Sequence, residues 1–357
     1  MSNILDNLAE IKKLDSQNML GSLQLLSKQA LQVLQTASKL KISSNYKQAK
    51  NLVVLGMGGS AIGTHLVKTL FANELKLPVE ICNDYNIPAF VNKDSLVVGS
   101  SYSGGTEETV AAFAEAKKKK AKLLVITAGG KLADFAKRNK VPALIFTTEN
   151  NPCGSPRMGL GYSIIGQLLL YSKVGLLKLS DVKIKQIIRT LEKYNTEFGV
   201  ETPSERNPAK QLALKTIDRS VMYVASEHLL GNAHIAANQM NENAKRFAAY
   251  FAIPELNHHL MEGMVNPTSN KENLLFILLQ SHLYYSRNQK RYEVTKQVLM
   301  KNNIQFESYH CREKDRVLQG CEVLVLGSYV SYYSALLKGI DPTAIPFVDF
   351  FKQELKK

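Results

Sequence analysis

Two turns in the chain are rich in glycine and hydroxyl residues. GMGGSAIG, residues 56–63, follows the apolar run NLVVL, and SYSGGTEET, from Ser101 to Thr109, follows Leu96-Val97-Val98. Each reads as a place where a strand gives way to a helix. Glycines there let backbone N–H groups turn towards an anion, and the helix that follows adds the positive end of its dipole. Gly58, Gly59 and Ser60 of the first turn and Ser101, Ser103, Gly104 and Thr106 of the second form a candidate phosphate cradle. Its hydroxyls can surround a tetrahedral oxyanion without a fixed cation. Plainer readings stand beside this one: a tight strand-to-helix connection for the first turn, and Ser103 and Thr106 as helix N-caps in the second. Both readings can hold, because a cap hydroxyl is aimed where a phosphate would sit. A P-loop does not fit, since no Gly-Lys-Ser/Thr follows, and Asp84 lies too far past its strand to serve a dinucleotide ribose.

Two turns can share one anion only if the fold makes them neighbours. Short runs rich in Val, Ile and Leu (NLVVLG, PVEIC, DSLVVGSS, AKLLVITA and PALIFTT) alternate with helical stretches such as TEETVAAFAEAKKKK. Continuous apolar runs of that length suit strands buried on both faces of a parallel sheet. In the flavodoxin-like order 2-1-3-4-5, strands one and three lie side by side at the switch point, which sets the two turns together. Two connecting helices occupy 159–200, and after the turn-rich TPSERNP the alternation resumes, with SVMYVAS, NLLFILLQ, IQFESYH and CEVLVLGSYV as strands. The expected fold class is α/β: two doubly wound parallel-sheet domains, flavodoxin-like three-layer sandwiches, with an N-terminal helical extension. The expected organisation is 1–48, a helical segment packing on the body through Met19, Leu23, Leu26, Ala30 and Leu34; 49–200, a first domain with connecting helices; and 201–357, a second domain with a C-terminal helix.

Bulk properties narrow the function classes. With 357 residues, 45% hydrophobic and 21% charged, the chain is globular and too long for one ordinary core. It has no apolar run long enough to cross a bilayer, and MSNILDNLAEIKKLDSQ lacks the apolar core of a signal peptide, so a cytoplasmic location without a membrane partner is expected. Cys82, Cys153, Cys311 and Cys321 have no paired spacing, which points to reduced thiols and no structural zinc. The formal net charge of +14 is dispersed. Its densest run, Lys117–Lys120, sits at a helix end without interleaved aromatics, which argues against a nucleic-acid partner and leaves a field favouring small anions.

Five motifs in order, GMGGSAIG, SYSGGTEET, SPRMGLGYS, NENAKRFAAYFAIPELNHHLMEG and DPTAIPFVDFFKQEL, resemble the bifunctional phosphoglucose/phosphomannose isomerase family, two-domain members of the sugar-isomerase (SIS) fold. The resemblance runs from about residue 50 to the C-terminus. Gly105 departs from it, standing where the family usually carries Asn. The resemblance implies an aldose–ketose isomerase that converts glucose 6-phosphate, and mannose 6-phosphate, to fructose 6-phosphate through an enediolate, with no metal or redox cofactor. It implies Glu242 as the base that moves the proton between carbons. His258 would carry the ring-opening proton and would be donated to the neighbouring subunit's site in a homodimer. Arg157 would be a fixed positive charge beside the enediolate, and Lys352 would contact the sugar's oxygens during ring opening.

The residues alone leave other readings open. Glu242 could pair with Lys245 at i+3, His258 could be a surface-loop histidine, Arg157 a loop clamp, and Lys352 a solvent-facing lysine. His258 is preferred to His259 because it follows Asn257, in the family's Asn-His slot. Phe347, Val348, Phe350 and Phe351 suggest that the last helix docks and holds Lys352 at a buried margin, while Thr343 could cap that helix or line the sugar pocket. A non-catalytic phosphosugar sensor on the same fold is the alternative to an enzyme.

Overall fold

The structure, a computed structural model, describes Ile4–Leu355 and Lys357, and it divides into two compact units. The first-sheet unit is Gln24–Glu192. The second-sheet unit joins the residues up to Leu23 to Lys193–Lys357. The first boundary falls at 23/24 and not 48/49 because the N-terminal helices do not act as one segment, and the second falls at 192/193, inside a helix, and not at 200/201. (Of the expected 1–48 segment, Met1–Asn3 lie outside the described residues.)

The N-terminal residues form α1 (Leu8–Leu14), α2 (Met19–Gln24) and α3 (Leu26–Ser38). Within the second-sheet unit, the 8%-exposed Asp15 accepts bonds from the Met19 and Leu20 amides at 2.7 and 2.8 Å and from the Tyr332 hydroxyl at 3.1 Å. Upstream of α1, Asp6 pairs at 3.0 Å with Lys210, whose side chain is fully buried. The apolar stripe foreseen over Met19–Leu34 exists, but α3 spends its share of it inside the first-sheet unit. There α3 packs on a π-helical turn, Gly161–Ile165, and on the helix that follows it.

The first-sheet unit continues with β1 (Asn51–Leu55), α4 (Gly59–Leu70), β2 (Val79–Cys82), β3 (Ser95–Ser101), α5 (Glu107–Lys118), β4 (Lys122–Thr127), α6 (Gly130–Arg138) and β5 (Ala143–Ile145). α7 (Gly166–Lys173) follows, then α8 (Asp181–Phe198), of which the residues from Lys193 on are counted with the second-sheet unit. All strand pairings are parallel and the order is β2-β1-β3-β4-β5, the flavodoxin-like order expected. The continuous apolar runs are explained by cover on both faces. Val53, Leu55, Val97, Leu123 and Val125 pack with Ala112 and Phe113 of α5 and Leu132 of α6 on one face. Their neighbours Leu52, Val54, Leu96, Val98, Leu124 and Ile126 are equally buried on the other. Each such side chain contributes about 1.5–3 kcal/mol on burial.

The second-sheet unit contains α9 (Pro208–Lys215), β6 (Ser220–Ala225), α10 (Leu230–Ala244), β7 (Ala248–Ala252), α11 (Leu256–His259), α12 (Asn270–Asn273), β8 (Leu274–Gln280), α13 (Ser286–Lys301), β9 (Gln305–His310), α14 (Arg316–Leu337) and α15 (Pro346–Glu354). Its parallel sheet has the order β7-β6-β8-β9, the same plan one strand shorter. One expected strand is corrected here: CEVLVLGSYV lies inside α14. Asp315 caps this helix by accepting from the Val317 and Leu318 amides at 3.0 and 3.2 Å, and every residue from Gln319 to Leu336 is buried. A helix wrapped on all sides loses its polar face, so its sequence reads like a buried strand. The strand that takes the vacated place in the sequence reading is β7, a half-buried edge strand of weak apolar character, AAYFA.

Candidate functional site

β1 and β3 are neighbours in register, Val53 opposite Val97 and Leu55 opposite Gly99, so the turns that follow them lie side by side at the carboxyl edge of the sheet. They are bonded together. The Tyr102 amide donates to Ser60 Oγ at 2.9 Å, and Ser100 Oγ donates to the Ser60 carbonyl at 2.8 Å. Within the second turn, Ser101 Oγ and Thr106 Oγ1 share a bond of 2.8 Å, the Gly104 amide donates to Ser101 Oγ at 3.0 Å, and the Gly105 amide donates to Ser103 Oγ at 3.3 Å. Thr106 stands at the N-cap position of α5, yet its side chain makes no capping bond, and the N-cap of α4, Gly58, has no side chain with which to make one. Two adjacent helices thus begin without a side-chain acceptor on their first-turn amides. Such starts attract anions through their N–H groups and dipole.

Glycine is required here for closeness as much as for conformation. A Cβ on Gly104, at φ 69°, would lie 1.7 Å from the Gly129 carbonyl oxygen. A Cβ on Gly59 would lie 3.0 Å from the Arg157 backbone nitrogen and 3.1 Å from its Cα. The bare backbone of Gly59 therefore seats the one-turn 3-10 helix Pro156–Met158, which carries Arg157, directly behind the first turn. Arg157 is 2% exposed. A buried cation beside the two turns is screened less by solvent than a surface one.

Three residues that sequence reasoning passed over hold this arrangement. Tyr102, inside the second turn, accepts a 2.8 Å bond from Asn151 Nδ2 and packs near Phe146 and Tyr162, whose rings stack at 4.5 Å. Burial raises the Tyr102 phenol above 10.0, against the lowering effect of the Asn151 bond, so it stays protonated near neutrality. Asn151 Nδ2 also donates to the Ser155 carbonyl at 2.9 Å. Gln29 of α3, fully buried, donates to the carbonyls of Asn150 and Met158 at 3.0 and 3.1 Å and accepts from the Gly161 amide at 3.0 Å. A glutamine on the apolar stripe between Leu26 and Val33 was the available signal: a buried polar side chain there must be bonding something.

In the second-sheet unit, Glu242 lies half-buried in the last turn of α10. The asparagines beside it are clamps. Asn241 exchanges bonds with Ala248 at the start of β7, accepting from its amide at 2.9 Å and donating to its carbonyl at 2.8 Å, and Asn243, fully buried, donates to Ser331 Oγ of α14 at 3.0 Å. Lys245, the left-handed C-cap at φ 49°, donates to the carbonyls of Asn243 and Asp341 at 3.0 and 2.7 Å. The helix end carrying Glu242 is thereby fixed on three sides.

His258 and His259 are both exposed on α11, while Asn257 between them and the core donates to Thr295 Oγ1 of α13 at 2.9 Å. Lys352 is exposed on α15. The expected docking of that helix is not met by the described chain: Phe347, Phe350 and Phe351 are 87%, 60% and 60% exposed, so Lys352 has no buried margin. Thr343, 5% exposed, is not the cap of α15, a position held by Ile345. The structure thus gathers Gly58, Gly59, Ser60, Ser101, Ser103, Gly104, Thr106 and Arg157 in the first-sheet unit. Glu242, His258 and Lys352 stand on three separate elements of the second-sheet unit.

The second sheet repeats the pair of turns with different chemistry. After β6 the chain reaches a left-handed φ of 45° at Glu227, as it does after β1 at Gly58, φ 47°. The Glu227 carboxylate accepts from the Tyr285 amide at the start of α13 at 2.7 Å and from Asn288 Nδ2 at 3.0 Å, with Arg316 at 3.8 Å. This helix start already holds an anion of its own.

Residues 45–141 match the SIS domain family, and residues 205–355 match the bacterial phospho-glucose isomerase C-terminal SIS domain. The chain is 32% identical over 339 residues to the bifunctional phosphoglucose/phosphomannose isomerase of Caldicellulosiruptor bescii, covering 94% of this chain and 98% of that one. It is 30% identical over 323 residues to the protein of the same name from Aquifex aeolicus, covering 88% and 93%. A hypothetical protein from Thermus thermophilus has a similar crystal structure, with TM-score 0.74 at 17% identity over 98% of this chain and 93% of that one, which bears on the fold alone.

Proposed function

The chain belongs to the bifunctional phosphoglucose/phosphomannose isomerase family, and on that premise we propose that it interconverts glucose 6-phosphate and mannose 6-phosphate with fructose 6-phosphate by proton transfer. The observation that carries this reading is the pair of adjoining helix starts without side-chain acceptors, joined through Ser60 and Tyr102. They would take the ester group. In the open-chain aldose, the Glu242 carboxylate removes the C2 proton, the electron pair moves through the C1–C2 bond onto the carbonyl oxygen, and the proton returns to C1 while the hydroxyl proton passes from O2 to O1. Glucose and mannose differ only at C2, so both collapse to one enediolate, and reprotonation of C2 from either face yields either epimer. Arg157 would stabilise the enediolate charge, which is larger in the transition state than in the bound sugar. His258 and Lys352 would move protons at the ring oxygen.

The reading extends to a cytoplasmic homodimer. The exposed His258, and the exposed apolar side of α15 with Phe347, Phe350 and Phe351, support a second copy as the missing cover. Light scattering on the wild type should give twice the chain mass, and Phe350→Ser should shift the protein towards monomer with loss of turnover. The catalytic test is to supply fructose 6-phosphate and measure glucose 6-phosphate and mannose 6-phosphate. Glu242→Gln should lower kcat by roughly 10²-fold or more while sugar-phosphate affinity holds. Near-normal turnover in that variant removes Glu242 from the reaction, and tight binding by the wild type without turnover indicates a sensor.

A further inference from the structure

At the amino edge of the second sheet, where β6, β7 and β8 begin and α10 and α14 end, the chain forms a cavity of about 390 Å³. Its wall carries four cations, Arg219, Lys245, Arg246 and Lys338, and one carboxylate, Asp218. Parallel α/β sheets ordinarily bind ligands at the opposite, carboxyl edge, so this concentration of charge is not part of the fold's usual crevice. Capping accounts for some of it: Lys245 and Lys338 occupy the C-cap positions of α10 and α14. Each helix end is equivalent to roughly half a negative charge. Two helix ends and Asp218 offset about half of the four positive charges, and an excess of about two remains.

The two guanidiniums hold that excess. Arg219 Nη1 donates to the Lys271 and Leu274 carbonyls at 3.4 and 3.2 Å, and Arg246 Nη1 donates to the Arg219 carbonyl at 3.2 Å. Among the described residues neither arginine is ion-paired with a carboxylate; the carboxylate on this wall, Asp218, is paired with Lys338 at 3.2 Å. Arg246 Nε is buried without a hydrogen-bond acceptor. An arginine N–H left unmade in a buried setting is costly, and guanidiniums are the side chains best matched to phosphate. The cavity's size falls within the roughly 300–1,000 Å³ range of small-molecule sites. Phe247, 71% exposed on the same wall, offers a bare aromatic face.

We propose that this cavity is a second anion site, which binds a small phosphate-bearing molecule through Arg219, Arg246, Lys245 and Lys338. None of these residues belongs to the sugar-phosphate site proposed above, so the inference does not rest on that reading. The site does share α10 with Glu242, three residues before Lys245.

Calorimetric titration of the intact protein with pyrophosphate at low salt tests it. The wild type should take two equivalents per chain, one in each unit. Arg246→Gln, and separately the more exposed Lys338→Gln, should weaken one of the two events by roughly tenfold or more, the loss expected when a charge-assisted bond is removed. Were the first-sheet cradle not a phosphate site, the counts would be one for the wild type and none or a weakened one for the variants, so the two readings fail separately. The proposal is overturned if both variants, folded by circular dichroism, bind pyrophosphate with wild-type stoichiometry and affinity. Repeating the titration with ATP identifies the carrier: a loss in Phe247→Ala assigns the site to nucleotides, and an unchanged affinity assigns it to phosphates lacking a base.

Discussion

Gly59→Ala is the most revealing single change in the first-sheet unit. The added Cβ would meet the Arg157 nitrogen at 3.0 Å, the Arg157 Cα at 3.1 Å and the Pro156 carbonyl carbon at 3.1 Å. Ordinary contact begins near 3.4 Å, and all three atoms are backbone, so no side chain can swing away. The Pro156–Met158 segment must retreat by a few tenths of an ångström. Overpacking of this kind costs about 1–3 kcal/mol. Alanine returns at most about 0.5–1 kcal/mol, the helix-interior value, at the first position of α4. The net loss is about 0–2.5 kcal/mol, equivalent to a drop of up to roughly 10 °C in midpoint for a unit of this size. The catalytic effect follows from Arg157. Since a 1 Å misplacement costs about 10²-fold, a shift of about 0.4 Å should lower kcat roughly sixfold. Gly105→Ala is the control, because its Cβ would find only Ser103 Oγ at 3.9 Å. Scanning calorimetry and the fructose 6-phosphate assay, run on both variants, decide the matter. If Gly59→Ala matches Gly105→Ala in midpoint and kcat, the seat of Arg157 on the first turn is not what positions it.

Two further outcomes follow from the same bonds. Ser103→Ala removes an exposed hydroxyl from the second turn and should raise KM several-fold with kcat nearly constant, because an ester group is held alike in ground and transition states; an unchanged KM would take this turn out of the anion cradle. Asp6→Asn should destabilise the second-sheet unit by about 1–2 kcal/mol, below the usual cost of breaking a buried pair because the Asp6 side chain is 39% exposed while that of Lys210 is fully buried. Burial alone would raise the Asp6 carboxyl, but the bonds from Lys210 and Ser204 and the Lys210 charge bring it below its ordinary 3.8. Its contribution is therefore complete above 3.8 and fades as pH falls through the lower folded value. The gap in midpoint between wild type and Asp6→Asn should close in strong acid, and a gap that persists there would show that the pair is not ionic.

The first sheet was legible because its strands are apolar on both faces and its turns carry glycine and hydroxyls, so period and punctuation agree. α14 was not, since burial on every side erases the polar face that marks a helix. The clamps around the cradle were hidden for another reason: Gln29, Asn151 and Tyr102 act through contacts across 49 to 132 residues of sequence, which local pattern does not encode. The docking expected of α15 is not made within the described chain, for a related reason. Its aromatic side, with Phe350 and Phe351, is real, but a sequence states only that a face needs cover and not which chain supplies it.

The two sheets share a plan, yet only one of them keeps its paired turns open. A non-glycine residue in left-handed conformation costs about 1–2 kcal/mol, so Glu227 at φ 45° must be held by something. The Tyr285 amide and Asn288, with Arg316 nearby, do so by bonding its carboxylate. Gly58, at nearly the same φ, has no side chain to hold and none to offer α5. A phosphate arriving at the second pair of turns would have to displace a carboxylate already bonded and of like charge. At the first pair, among the described residues, no carboxylate bonds the turns themselves, although Glu107 and Glu108 stand in the first turn of α5. A bonded carboxylate at the second pair of turns, and no side chain from Gly58 at the first, is what separates the two sheets as candidate anion sites.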